Sequence, residues 1–561
     1  MQFRNLNNLF KSIGLPLNNQ KGMALMATLI FTFVISTMGI ALLTMTSNET
    51  KLSALQKDST DAFYLADSGT ERAISWMEKQ GAPPSSIPPP LDGSADIAGM
   101  GGGYYSVTID PPSSGTEVFN KIYTITCVGH AGYSNSKRTI ETKIRVLSFA
   151  GFAYFSVEEK SAGGDTIWFR TDDLIGGKMH SNDLIHISGT PHFLGEVSTA
   201  VDHIDYMNND NKTYLDTDGN MNIEDNNFKN NDFEDIFQSE ETEWGLTLSD
   251  EVIPLPQNRA ISGTEYARSL ENISLGPSYN SSDVVGKDVY IPRSGNNVNG
   301  GIYVNGDVEE LILGTDTEPG GKSKISIKQN IGTDSSPNYN VTEIITAEVF
   351  RSTQVTKYDN SDNVIAGYPI SYNGISNGVL FIGGEVKDLQ GDRDDGGLQG
   401  KLTIAASGDI TIGGDILYSD RIDNDIDFSS EDADLSLVND SLGLVSQGDI
   451  IVEKNAKGSN GVHDDNIEID AILMAIGTSF KYEDYKDLMK GTLKIFGAFI
   501  QERRGAVGTF DSGSGDKASG FTKDYHYDQR MASTDPEIPS MIPPYFPTTG
   551  NYEKISWREI R

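Results

Sequence analysis

The sequence reads as a mainly β protein that becomes α+β through one long N-terminal helix. Three observations carry that expectation. Residues 23–48 hold no charged side chain and run without proline into an amphipathic stretch. Residues 104–147 alternate polar and apolar side chains. From 149 onward, short β-branched runs are punctuated by Gly-Asp and Gly-Gly. The expected order is a transmembrane helix, a small antiparallel sheet, and a β-solenoid or β-helix-like body.

The helix is argued first. Residues 23–45 (MALMATLIFTFVISTMGIALLTM) are strongly apolar, and as a helix they extend about 35 Å, enough to cross a bilayer core. Arg4, Lys11 and Lys21 precede the run and acids follow it, which puts residues 1–22 in the cytoplasm and the rest outside. The apolar run is longer than that of a cleaved secretory signal. Beyond it, Leu52, Leu55, Ala62, Ala66, Gly69, Ala73, Trp76 and Met77 recur at helical steps, a stripe suited to packing on a soluble domain. One helix of about 55 residues is expected, stopped by the Pro-rich segment 81–90.

These residues also carry a resemblance. Gln20-Lys21-Gly22-Met23-Ala24-Leu25 resembles a type IV prepilin processing site, and Asp61-Ala62-Phe63-Tyr64-Leu65-Ala66-Asp67-Ser68-Gly69 resembles the segment that marks PilX-type minor pilins. The resemblance implies cleavage by prepilin peptidase after Gly22, with Met23 as the new N-terminus. It also implies other pilin-like subunits as partners of the helix. The fifth mature position is Ala27, where major pilins carry the glutamate that meets a neighbour's amino terminus. Its absence resembles minor pilins and pseudopilins placed at a tip or initiating assembly.

After a Pro/Gly linker (81–100), segments 104–110, 121–129 and 137–147 have the two-residue period of half-buried strands. Cys127 is the single cysteine; it excludes an internal disulfide and reads as a small buried hydrophobe. The body, 149–522, repeats Gly306-Asp307, Gly408-Asp409, Gly413-Gly414-Asp415 and Gly448-Asp449 ahead of β-branched residues, a turn-then-strand punctuation suited to a solenoid; its irregular spacing leaves a sandwich with insertions open. Residues 523–561 are expected as a C-terminal tail. A second resemblance spans the body, from Gly177-Lys178-Met179-His180 through Gly497-Ala498-Phe499-Ile500-Gln501 to Pro543-Pro544-Tyr545-Phe546-Pro547. These segments are similar to an uncharacterised domain family that follows PilX-like N-termini in large bacterial envelope proteins, and that family implies architecture without a biochemical role.

Formal net charge is -36, which opposes nucleic-acid binding because phosphate contacts need a positive surface. The best ligand candidate is calcium on Asp216, Asp218, Asn220, Asn222 and Asp225, oxygen donors alternating around Gly219; Tyr214 stands where the first loop carboxylate belongs. His180, His186 and His192 recur every six residues with His203 nearby. Six residues of strand span about 20 Å, so one zinc ion needs a turn between them. The pair Arg503-Arg504 is a rare basic spot that suits an internal ion pair as well as a partner. No nucleophile elbow, HExxH, P-loop or GxGxxG opening a helix is present, so a catalytic role is not expected. The leading reading is a minor-pilin-like or pseudopilin-like surface subunit in filament assembly or tip adhesion, held in the inner membrane before assembly with its body in the periplasm or outside. The alternative is a membrane-anchored protein that binds or cleaves glycans on a β-helix body.

Overall fold

The structure, a computed structural model, describes residues 20–560 apart from several stretches, of which 217–234 and 257–285 are the longest. A single helix, α1, runs Gln20–Glu78 over 59 residues, about 90 Å of continuous rod. In its apolar half, threonine hydroxyls bond back to the carbonyl of the preceding turn, as Thr28 does to Ala24 (2.9 Å) and Thr44 to Ile40 (2.7 Å). No hydroxyl of these is left for an apolar surrounding to desolvate.

The C-terminal half of α1 lies on a sheet of β1 (Ile97–Ala98), β2 (Tyr104–Asp110), β3 (Ile122–His130) and β4 (Lys137–Ser148), all antiparallel. Tyr123, Ile125, Cys127 and Gly129 of β3 point one way and are buried, the alternation the sequence predicts. Ala62, Ala66, Ala73 and Met77 of α1 are fully buried, the last three in one cluster with Val107, Ile125, Cys127 and Ile140. The expected helical stripe is thus buried only from Ala62 onward: Leu52 and Leu55 remain 58% and 57% exposed because the sheet does not reach them. Helix and sheet meet at backbone distance over Gly129. A methyl group there would fall inside the Ala62 carbonyl and 2.5 Å from the Ala66 nitrogen.

The segment expected as a tail, 523–561, is divided between two sheets. The strand Lys517–Tyr527 belongs to the body, and the strand Thr548–Ile560 returns to pair antiparallel with β4, Thr548 opposite Ser148 and Ile560 opposite Thr139. The body is therefore inserted between two neighbouring strands of the first sheet. Its entry and exit are clasped where the Phe149 and Ser148 groups donate to the Pro547 carbonyl (3.1 and 3.2 Å). Charges line the returning strand: Arg145–Glu553 at 2.7 Å, Arg138–Glu559 at 2.6 Å, Arg558–Glu141 at 2.5 Å, and Lys554 to Glu71 of α1 at 2.9 Å.

The body is mostly strand. In one sheet, Ile302–Asn305, Val379–Ile382, Lys401–Ala406, Ser441–Ser446, Ile467–Ala475 and Met489–Arg503 follow one another as parallel neighbours. In another, Glu310–Asp316, Val386–Gly391, Ile410–Gly414, Ile450–Lys457 and Phe480–Tyr482 do the same. The chain alternates between the two, and their inward side chains share one apolar core. Like residues stack in register: Ile404 beside Leu444 beside Leu473 beside Phe499, and Ile410 beside Ile450 beside Phe480. The order in space departs from the order in sequence at one seam. The body's first strand, Tyr154–Glu158, pairs in parallel with Met489–Arg503, and the ladder continues through Met179–Ser181 and Val197–Thr199.

The Gly-Asp repeats have a role beyond turning the chain. Asp409 accepts from the Asp449 backbone N–H (2.8 Å) and Asp449 accepts from that of Ser479 (2.9 Å), so each carboxylate ties its turn to the equivalent turn of the next strand pair. Gly448 is needed for room rather than for conformation: a side chain there would collide with the Asp409 carboxylate.

Candidate functional site

The helix α1 is the feature whose surface demands a partner. Between Met23 and Met45 its large apolar side chains are exposed by about half or more, with Leu25 at 73%, Phe33 at 68% and Leu43 at 73%. The segment is long and apolar enough to cross a membrane, and none of its most apolar window is buried inside the protein. Such a contiguous apolar surface is stable only against lipid or other apolar helices. Gly22 and Met23 lie in the first turn of α1, and a side chain at Gly22 would meet no atom. Ala27, one turn further, offers no carboxylate, and the first acid in the helix is Glu49.

The other half of α1 is fastened to the folded part by polar as well as apolar contacts. Arg138 of β4 donates to Ser59 (2.9 and 2.6 Å), and Phe63 packs edge-on against Trp557 of the returning strand with ring centres 6.1 Å apart. Cys127 sits fully buried beneath the helix, and burial pushes its thiol up to about 12. It behaves as the small hydrophobe the sequence suggested.

The other sequence candidates distribute differently. Asp216 ends the strand Asn211–Asp216, opposite His203; Asp218, Asn220, Asn222 and Asp225 lie outside the described residues. The four histidines do not converge. His180 is buried, bonded through Nδ1 to Ser198 (2.7 Å) and through Nε2 to Asn182 (3.0 Å), and burial holds its imidazolium below the usual range. His186 meets Asp205 (3.1 Å), His192 the Asp235 carbonyl (3.1 Å), and His203 Asp202 (2.7 Å). Among the described residues no group of three His, Cys, Asp or Glu side chains is arranged to hold a metal ion.

Arg504 faces inward, whereas Arg503 stays partly exposed. Arg503 pairs with Glu158 (3.2 Å), and Arg504 pairs with Glu159 (3.2 Å) and Asp173 (3.7 Å) while lying 3.7 Å over the Phe169 ring. Lys523 completes the group with Asp173 at 3.0 Å. Phe169, Asp173, Arg504 and Lys523 border a cavity of about 40 Å³ lined also by Tyr154, Gln501 and Tyr525, room for about three waters. Sequence reasoning singled out Arg504 but missed Glu159, Asp173 and Lys523. They lie up to 350 residues apart, and only the parallel seam brings them together.

Comparison with known proteins adds one specific finding. The PilX N-terminal family matches residues 21–71, covering both the Gly22–Met23 junction and the segment 61–69. The chain thus begins with a PilX-like N-terminus. No curated protein matches the sequence. Among solved structures, the crystal structure of the competence-associated pilin ComZ from Thermus thermophilus aligns over 90% of this chain and 97% of that one, at 11% identity and a TM-score of 0.22, too low to establish a common fold.

Proposed function

We propose that the protein is a minor-pilin-like or pseudopilin-like surface subunit, processed by prepilin peptidase between Gly22 and Met23 and assembled with other pilin-like subunits through α1. The observation that carries the reading is the division of one helix into two surfaces. Residues 23–45 expose apolar side chains, whereas Ala62, Ala66, Ala73 and Met77 are buried on the sheet. A rod of that design transmits assembly through its free half and carries the body on its fixed half. Before assembly the free half belongs in the inner membrane, with the body in the periplasm or outside.

The body is read as a β-solenoid; support comes from the in-register parallel neighbours and from carboxylates that bridge successive turns. A tip or low-copy position suits so bulky an inserted body and the missing carboxylate at Ala27. The protein is proposed to act by binding, as an adhesive subunit, rather than by catalysis. The cavity beside Arg504 has room for about three waters and too little for a sugar ring, so it lends no support to the glycan-cleaving alternative.

N-terminal sequencing of the membrane-extracted protein tests the central claim. Met23 is the expected first residue, and Gly22→Lys should leave the precursor uncut. A native chain that retains Met1, or that starts far downstream of Met23, overturns the proposal.

A further inference from the structure

We propose that Lys523 and Asp173 are joined by an intramolecular amide bond that staples the first strands of the body to its last. The two groups are already in contact. The Lys523 Nζ lies 3.0 Å from Asp173 Oδ1. The other carboxylate oxygen, Oδ2, accepts from the Arg170 backbone N–H (3.0 Å) and faces the Arg504 guanidinium (3.7 Å). The carboxyl carbon is thereby held, with one oxygen polarised by donors and the other turned to the amine. Arg504 is itself fixed by Glu159 (3.2 Å) and by the Phe169 face.

Burial works against both charges. Phe169, Phe480, Phe499, Tyr154 and Tyr525 wall the same cavity, and taking an ion pair out of water is costly unless it is neutralised. Burial pulls the Lys523 ammonium below its ordinary range, which eases the loss of a proton. Burial alone would raise the Asp173 carboxyl, but Lys523 and Arg504 together hold it below the usual range; the Lys523 ammonium, 3.0 Å away, is the proton donor within reach. A contrasting pair, Lys494–Asp427, has the same 3.0 Å separation but leaves Asp427 62% exposed, where water screens both charges.

The step balances without an oxidant or co-reactant. The ammonium passes one proton to the carboxyl. The amine lone pair attacks Asp173 Cγ, the nitrogen gives its second proton to the departing hydroxyl, and one water leaves as the C–N bond forms. The cavity has room for that water. In a chain with a single cysteine, such a bond would close a loop of some 350 residues across the seam, the kind of crosslink a disulfide supplies elsewhere.

The test is peptide mass spectrometry of the full-length protein, extracted from membranes and digested with trypsin after unfolding. The expected product is a branched peptide joining the Asp173 and Lys523 segments, lighter by one water than its two parts. Lys523→Arg and Asp173→Ala should each return linear peptides. If the unsubstituted protein yields linear peptides cut after Lys523, the amide is absent and the proposal falls. That decision needs no variant to fold, and it is independent of whether the helix enters a filament.

Discussion

Gly129→Ala probes the junction on which the stem depends. The added methyl would lie 2.5 Å from the Ala66 nitrogen and closer still to the Ala62 carbonyl oxygen, both backbone atoms of α1. Neither can rotate away, so the helix must withdraw by about 1 Å, enough to forfeit a quarter to a half of the dispersion across that contact. Overpacking of this kind costs about 2 kcal/mol, which raises the population of opened helix–sheet junctions roughly 30-fold. Cys127 reports that opening directly, because it is the single cysteine, is fully buried beneath α1, and has its thiol pushed up to about 12 by burial. In the full-length protein in detergent, thiol labelling of Cys127 should accelerate by that factor when reclosing is fast relative to labelling. Gly151→Ala is the control: a side chain there meets nothing within 4 Å, and labelling should stay close to the unsubstituted rate. Equal labelling rates for Gly129→Ala and the parent would refute the claim that helix and sheet are in backbone contact.

In the body, Gly448→Ala should lower thermal stability by about 1–3 kcal/mol by displacing the Asp409 carboxylate from the Asp449 N–H; an Asp409→Ala background should blunt that cost, and additive losses would separate the two residues. Asp440 gives a pH prediction. Burial pushes its carboxyl up to about 7, and Asp420 adds to this against N–H donors from Asp420 and Gly400. A carboxyl whose folded pKa exceeds its unfolded one contributes stability that is complete below about 4 and is lost as pH rises through 7. Urea midpoints should therefore fall between pH 5 and 8, and the fall should be shallower in Asp440→Asn; parallel pH slopes would count against it. Ending the chain at Pro547 removes the returning strand and its ion pairs with Arg138, Glu141 and Arg145. Cys127 labelling should then rise sharply, and an unchanged rate would mean that the strand contributes little to the junction. Calcium bound at 216–225 should raise the melting temperature by mass action; no shift at millimolar calcium removes that site, as does an equal shift in Asp218→Ala.

How much was legible follows from the range of each signal. The helix from the apolar run through Met77, its end before the prolines, and strands β2 to β4 could be read because their periods of 3.6 and 2 residues are local properties. Leu52 and Leu55 repeat at the same helical spacing as Ala62 and Ala66, yet they stay exposed; periodicity marks a face without saying how far the sheet beneath it extends. The Gly-Asp punctuation was visible, but its physical use was not. A turn glycine was expected from backbone freedom, whereas Gly448 is kept small by a carboxylate from a turn some 40 residues away.

The amino-acid order alone thus determined the stem, the small sheet's first strands, the β character of the body and the PilX-like start, since each is written in neighbouring residues. Tertiary structure decided that the final strand closes the first sheet beside β4, that the strand at 154 sits against the one at 489, and that Asp173, Arg504 and Lys523 share one pocket. Such pairings depend on which sheet edges remain open once everything else has folded. Closing a longer loop adds little entropic cost with each doubling of its length, so partners hundreds of residues apart can meet without leaving any mark in the local sequence around either one.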